Sequence, residues 1–517
     1  MFIGIDLGTS GVKALLLDRD GRVRASATHA LTLQRPHPRW SEQAPEAWWE
    51  ATSAAMEHLL HEARTAGIHA ASIEAIGLTG QMHGATLLDA AGTVLRPAIL
   101  WNDGRSDAEC LELEAAVPEL HALTGNLAMP GFTAPKILWL RRHRPEIYSQ
   151  AARFLSVTDF IHAKLGFPPY VGNSLASRFL AFDVTKDRWS DEILHAAELK
   201  PAQLPLPVPA GTIAGRLNAE AASALGVNAG TPVVVGGHDQ ACGALGVGVI
   251  QPGRVSDSMG TYECLVAASD EPSLGEAAFA ARLNSYCHVV PGKFLTLAYF
   301  PSGIMVQWFR DLIYGRETPS EKFVKSVSSE ADQYSSLEAE CTGAPTGLCI
   351  TPHLIGTCNP DFDPRARATI FGLSSNSNRS QIYQGILEGI ACELAQVAKI
   401  LKDANGNFDD LYVSGGGTHS HLGLKLRASI TGCRLHVMQC DEAVCQGAAI
   451  LAGVTAGVYS HIAEAVKLIV REKEVVEPDA SLAAAYAAQL KQYRRLCVTL
   501  KAFRDENLRT LSREANP

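Results

Sequence analysis

Short apolar runs and turn-rich breaks alternate through the first hundred residues. Residues 2–6 are apolar and β-prone, residues 8–11 are a Gly/Thr/Ser break, and residues 12–18 form a second apolar run. Asp20-Gly21 reads as a hairpin turn into residues 23–33, so three strands follow one another. Residues 45–66 place apolar side chains at helical spacing, with Pro45 and Glu46 in the first turn and Gly67 as the stop. Residues 73–79 and 85–88 return to strand. The pattern predicts a mixed α/β sheet rather than an all-parallel one.

Farther along, residues 231–235 read as a buried strand, followed by Gly236-Gly237-His238-Asp239 and a small-residue helix over 240–248. Residues 253–268 then run strand, Gly260-Thr261, strand, much as residues 2–17 run strand, Gly8-Thr9, strand. Two such units predict a duplicated fold with a cleft between halves. A strand over 411–414, a Gly415-Gly416-Gly417 loop, a helix from about Ser420 and a small-residue helix over 445–454 close the second half. An amphipathic helix is expected over 480–500, with the last dozen polar residues fraying. The Pro-rich stretch 204–209 reads as a stiff surface connection.

Composition narrows the class. A chain of 517 residues has length for two domains or three, and its net charge of −9 argues against a nucleic-acid binder. Hydrophobic residues at 47% and charged residues at 19% argue against disorder. No apolar run reaches the roughly 18 residues of a membrane span, and the N-terminus lacks the pattern of a signal peptide. The 12 cysteines show neither C-x-x-C pairs nor zinc spacing, as expected for reduced thiols in the cytoplasm.

Four segments carry candidate chemistry. In the run Asp6-Leu7-Gly8-Thr9-Ser10-Gly11-Val12-Lys13, a carboxylate at a strand end precedes a turn of small residues. Glycine backbone N–H groups and hydroxyls suit phosphate, and Asp6 suits Mg²⁺, directly or through water. An Asp-capped hairpin is the plainer reading. There is no Walker A loop and no dinucleotide fingerprint. Asp239 opens a helix after two glycines, as an N-cap or as a general base, and one residue can serve as both. Gly415-Gly416-Gly417 allows a backbone to lie flat against a ligand face. Gln81-Met82-His83-Gly84 and Trp101-Asn102-Asp103-Gly104-Arg105 place polar and aromatic groups at strand ends, where a polyol is hydrogen-bonded.

Together these stretches resemble the FGGY family of carbohydrate kinases, within the actin-like ATPase superfamily, over residues 1–455. I-G-I-D-L-G-T-S-G-V-K, R-P-H-P-R-W-S-E-Q, G-Q-M-H-G-A-T-L-L-D, R-P-A-I-L-W-N-D-G-R and G-N-L-A-M-P-G-F-T-A-P-K-I-L-W-L look like its xylulose-phosphorylating branch. Residues 131–143 fit a family signature, with Lys136 and Trp139 at its fixed positions. The resemblance implies two actin-like (ribonuclease H-like) α/β domains around a cleft. It divides the chain into a sugar-binding half over 1–250, an ATP-binding half over 251–455 and a helical extension over 456–517. It implies transfer of the ATP γ-phosphoryl to a ketopentose hydroxyl, with D-xylulose first and another ketose or polyol such as ribulose second. A sugar-binding regulator without catalysis is a third reading, against which the retained Asp239 argues.

Residue by residue, the resemblance makes Asp239 the catalytic base, with Asp6 beside it holding Mg²⁺. Met82, His83, Trp101, Asp103 and Gln240 fall on the sugar. Gly8, Thr9, Ser10, Lys13, Gly260 and Thr261 fall on the phosphates, and Gly415, Gly416 and Gly417 on the adenosine. No nucleic-acid or membrane partner is implied, and a homodimer is a family habit. The second half departs from the branch pattern. G-G-H-D-Q-A-C-G-A stands where G-G-G-D-N-A-A-G-A is typical, and S-M-G-T-Y-E where S-L-G-T-S-G is typical. Residues 352–360 and Ala428-Ser429-Ile430 also differ. His238 and Gln240 therefore flank the base with new side chains.

Overall fold

The computed structural model describes residues 1–315 and 330–514. Its first sheet is built from β1 (Phe2–Leu7), β2 (Gly11–Leu17), β3 (Val23–Ala30), β4 (Ala75–Gly80), β5 (Ile213–Arg216) and β6 (Pro232–His238). The order across the sheet is β5-β6-β4-β1-β2-β3. The first three strands form an antiparallel meander, β4 lies parallel to β1, and β6 lies parallel to β4.

The alternation along these strands explains why the opening reads as continuous apolar runs. Ile3, Ile5 and Leu7 of β1 join Val12, Ala14 and Leu16 of β2 on one face, under helix α1 (Pro45–Thr65). Trp48, Ala51, Ala55, Met56, Leu59 and Ala63 of that helix recur at three- and four-residue steps and are buried. Phe2, Leu15 and Leu17 point to the other face and join a second core. Both faces of the sheet are covered, so its inner strands have no polar side.

The second sheet repeats this plan. Its strands are β7 (Val255–Met259), β8 (Tyr262–Ser269), β9 (Asn284–Cys287), β10 (Phe294–Pro301), β11 (Asp410–Ser414), β12 (Arg434–Met438) and β13 (Glu472–Val476). They lie in the order β9-β10-β8-β7-β11-β12-β13. Strands β7, β8 and β10 form the antiparallel meander, and β11 and β12 add parallel strands beside β7. The duplication expected from Gly8-Thr9 and Gly260-Thr261 is thus a repeat of whole sheets, and the α/β class with two similar halves holds.

One helix of the second half crosses to the first sheet. α2 (Asp239–Gly246) follows β6, while α3 (Ala443–Thr455), late in the second half, packs on β1 and β4 of the first sheet. The two helices touch backbone to backbone. A Cβ on Gly246 would lie 1.9 Å from the Ala443 carbonyl oxygen, and one on Gly447 1.9 Å from that of Cys242. Gly4 and Gly77 give α3 the same close seat on the sheet, where a Cβ would lie 1.8 Å and 2.0 Å from its carbonyl oxygens. The run Gly243 to Gly248, a poor dinucleotide fingerprint, is therefore a packing surface.

The expected helical extension over 456–517 is more than a tail. Its β13 pairs antiparallel with β12, and Ala480–Glu514 is one helix, longer than the 480–500 read from the sequence. Tyr486 and Tyr493 of that helix are fully buried, their hydroxyls donating to Glu388 and Glu393, so this helix is anchored by core contacts. Residues 515–517 of the expected frayed end lie outside the described residues. The stretch 204–209 contains Leu206–Val208, a short strand parallel to Tyr170–Gly172.

Candidate functional site

Parallel strands bring the first-half segments together. Asp6 and Leu7 of β1 stand in register with Thr79 and Gly80 of β4, and His238 of β6 stands in register with Gly80. The Asp6–Thr9 turn, Gln81-Met82-His83 and Asp239 therefore leave the same, carboxyl end of the sheet, where α/β folds hold ligands. Asp239 heads α2, its Oδ1 accepting the Gln240 backbone N–H at 2.6 Å. That oxygen is also 3.0 Å from His238 Nδ1. Oδ2 has no hydrogen-bond partner among the described residues.

Asp6 is half-buried at the end of β1, with its Oδ1 sealed from solvent without a partner. Burial and the nearby Asp239 carboxylate raise its pKa to about 7. Thr9 is fixed on three sides. Its hydroxyl donates to Gln81 Oε1 at 2.6 Å, Trp101 Nε1–H donates to that hydroxyl at 2.9 Å, and Gln43 Nε2 donates to its carbonyl at 2.8 Å. Gly8 closes the hairpin through its N–H to the Gly11 carbonyl, and Ser10 is exposed on the turn.

His83 is buried in a left-handed conformation with φ at 63°. Its Nδ1–H donates to the Arg178 carbonyl at 2.7 Å and its Nε2 accepts from Arg178 Nη2 at 3.2 Å, which fixes a neutral tautomer. Burial and the Arg178 and Lys136 cations hold its pKa well below the ordinary value. Lys136, the signature lysine, is itself buried and donates to the carbonyls of His83 at 2.7 Å and Gly131 at 2.6 Å. It pins the His83 turn from below. Met82 is half-buried against the neighbouring apolar cluster, and the side chain of Gln240 makes no hydrogen bond among the described residues.

In the second half the parallel pair β7 and β11 does the same work. Ser258 pairs with Ser414, so Gly260-Thr261 and Gly415-Gly416-Gly417 emerge side by side. Gly415 takes φ of 92°, and a Cβ on it would lie 2.8 Å from the Met259 carbonyl oxygen. Gly260, Thr261, Gly416, Gly417, Tyr383 and Arg427 are among the residues that line a cavity of about 890 Å³, large enough for a nucleotide.

The departures Tyr262 and Glu263 have partners. Glu263 is buried and accepts Arg427 Nε at 3.0 Å and Nη2 at 2.8 Å, together with the Ser302 hydroxyl at 2.7 Å. Ser302 in turn donates its N–H to the Thr261 carbonyl at 3.2 Å, so the ion pair braces the second loop. Beneath it Asp257 is buried, and burial followed by the neighbouring Glu263 carboxylate raises its pKa well above the carboxylate range. Tyr262 meets Trp101 of the first half edge to face, with ring centroids 6.3 Å apart.

Two expected ligand contacts are corrected. Lys13 does not face a free loop: its Nζ lies 2.8 Å from both oxygens of Glu442, just before α3, and ties the halves together. Asp103 is fully buried, its carboxylate accepting Nε, Nη2 and the backbone N–H of Arg105 and the Ser41 N–H at 2.6 Å. That guanidinium stacks on Trp40 at 3.7 Å. Asp103 therefore orients Arg105 in a wall behind the site. Arg178, Gln43, Asn126, Asn284 and Tyr286 were missed. For Arg178 the signal was a lone arginine in the apolar run Ser174-Leu175-Ala176-Ser177-Arg178-Phe179-Leu180-Ala181-Phe182. The others carried none.

Comparison with known proteins follows the same division. The N-terminal domain of the FGGY family of carbohydrate kinases matches residues 1–246, and its C-terminal domain matches residues 255–456. The chain is 37% identical to the xylulose kinase of Escherichia coli K12 over 503 residues, which is 96% of this chain and 98% of that one. It is 30% identical to the xylulose kinase of Bacillus subtilis, over 97% of this chain and 99% of that one. A solved xyloylose kinase structure from Brucella ovis superposes with a TM-score of 0.85 at 32% identity, over 97% of this chain and 99% of that one. With two family domains in tandem and relatives paired end to end, this chain belongs to the FGGY family of carbohydrate kinases.

Proposed function

We propose that the protein phosphorylates D-xylulose with ATP, giving D-xylulose 5-phosphate. The observation that carries the reading is Asp239, which has one oxygen anchored on the helix head and the other open at the carboxyl end of the first sheet. The sugar is taken from the end-to-end identity with proteins named xylulose kinase. His83 and Met82 lie at the same end of the sheet, on the side of the sugar. The cavity beside Gly260-Thr261 and Gly416-Gly417 is the place of the nucleotide.

In this arrangement a sugar hydroxyl lies between Asp239 and the γ-phosphorus. Asp239 Oδ2 accepts the hydroxyl proton as the oxygen forms its bond to phosphorus. The bond from phosphorus to the β-phosphate oxygen breaks, and ADP leaves with that electron pair. The backbone N–H groups of Thr9, Ser10 and Thr261, which make no hydrogen bond among the described residues, offer donors to the phosphates. Asp6 fits a divalent cation such as Mg²⁺: its Oδ1 is buried without a partner, and burial together with repulsion from Asp239 disfavours its charge until a cation is near. When bound, the ion neutralises phosphate charge. Closure of the halves excludes water, which competes as an acceptor. Twelve free cysteines, and no helix among the described residues able to cross a membrane, suit a cytoplasmic enzyme.

His238 and Gln240 beside the base favour one second reading, the same transfer to another ketose or polyol such as ribulose. Purified protein with ATP, Mg²⁺ and a sugar panel separates the two. D-xylulose is expected to give the highest kcat/KM; another sugar exceeding it about tenfold overturns the first reading.

A further inference from the structure

Arg178 is fully buried, yet no carboxylate forms an ion pair with it among the described residues. Its Nη1 donates to Asn126 Oδ1 at 2.6 Å, and its Nη2 to His83 Nε2 at 3.2 Å and Asn284 Oδ1 at 3.3 Å. Every one of these partners is neutral. Its Nε–H is sealed from solvent with no partner. Its guanidinium lies 5.1 Å from the Tyr286 ring centre, and Tyr286 stacks on His238 at 5.0 Å. The Tyr286 hydroxyl and His238 Nε2 are also buried and unpartnered. His238 Nδ1 lies 2.8 Å from the Gln240 nitrogen and 3.0 Å from Asp239 Oδ1, so it accepts from the one or donates to the other, and the free Nε2 is a donor or an acceptor accordingly.

Three polar atoms from three elements are thus orphaned in one cluster that joins His83 to Asp239. Burying a cation without an ion-paired carboxylate, and polar groups without partners, costs free energy. His238 stands where the xylulose-phosphorylating branch has glycine, so the cluster coincides with a departure in the sequence.

We propose that Arg178, Tyr286 and His238 form a sugar-recognition wall, their three unpartnered polar atoms meeting the carbonyl and hydroxyl groups of the bound ketose. The wall rests on the sugar-kinase reading and goes beyond it by naming residues that set which ketose is accepted. Because Tyr286 belongs to β9 of the second sheet, sugar bound on the first half also contacts the second.

Tyr286→Phe is the decisive variant, because it removes only a hydroxyl that serves no structural bond. The expected result is a KM for the preferred sugar raised about five- to tenfold, with KM for ATP within twofold and Tm equal to or above the parent value. Loss of the sugar-induced rise in Tm, with the ATP-induced rise kept, reads the same contact without turnover. Arg178→Lys is expected to lose about tenfold or more in sugar KM and Arg178→Met further. An unchanged sugar KM in Tyr286→Phe overturns the wall, as does an equal rise of both KM values with a lowered Tm. If D-xylulose is not turned over by the parent protein, the substrate reading fails, and the same variants are measured with the best sugar of the panel.

Discussion

Asp239 heads α2 and offers an oxygen to the site. The N-cap of α2 is His238 rather than Asp239, the first helical residue; Asp239→Asn leaves that cap in place and removes the base, so kcat is expected to fall by about 10² to 10⁴ while ATP still raises Tm. Near-parental turnover in that variant reassigns the base. His288 shows how burial sets acid sensitivity. Its Nδ1 accepts the Val289 N–H at 2.8 Å and its Nε2–H donates to the Val249 carbonyl at 2.9 Å, which suits only the neutral ring. Burial lowers its pKa to about 4, and that of buried His162 likewise to about 4. The unfolded chain then binds protons that the folded chain refuses between the ordinary histidine value and pH 4. Their stabilisation is complete above about pH 6.5 and is lost as pH falls, by roughly 3 kcal/mol for each histidine. Equilibrium unfolding across that range is expected to show the slope, and His288→Gln to flatten it. An unchanged slope in the variant means that His288 is protonated in the fold.

Among the elements, the pair α2 and α3 is the least tolerant of added volume. Each glycine that lets them touch faces a backbone carbonyl, which cannot rotate away as a side chain does. Gly447→Ala places a methyl 1.9 Å from the Cys242 carbonyl oxygen and forces the helices apart. A loss of at least about 1 to 3 kcal/mol is expected in chemical unfolding, with activity reduced because Asp239 sits at the head of the displaced helix. A stability within 0.5 kcal/mol of the parent, on the order of an inert surface change, contradicts the packing argument. The three strands β1, β4 and β6 act as a second such unit, since their shared register sets the distance between Asp6 and Asp239.

At the scale of the molecule the halves do not stand alone. α3 belongs to the second half in sequence and covers the first sheet. β9 brings Tyr286 and Asn284 against Arg178, and Lys13 meets Glu442 from across the chain. One cooperative calorimetric transition is therefore expected rather than two. Two transitions separated by several degrees, each matching one half, contradict the crossing of α3 as a stabilising feature. Residues 1–250 expressed alone are expected to aggregate, because the sheet face beneath α3 is left open.

The sequence by itself determined the local elements and the chemistry attached to them. Strands buried on both faces must be apolar throughout, a helix head favours Asp239, and backbone loops that approach phosphate require glycine, so all three leave marks within a few positions of themselves. Tertiary structure decided the partners. Lys13 and Glu442 are 429 positions apart, and nothing local separates a lysine that meets phosphate from one that meets a carboxylate. Asp103 and Arg105 are neighbours, yet only burial behind Trp40 showed that their charges face each other rather than a ligand. Arg178 became meaningful only when folding put neutral amides around it and kept Asp239 out of ion-pair contact, for the energy of a buried charge depends on everything within a few ångströms and on very little along the chain.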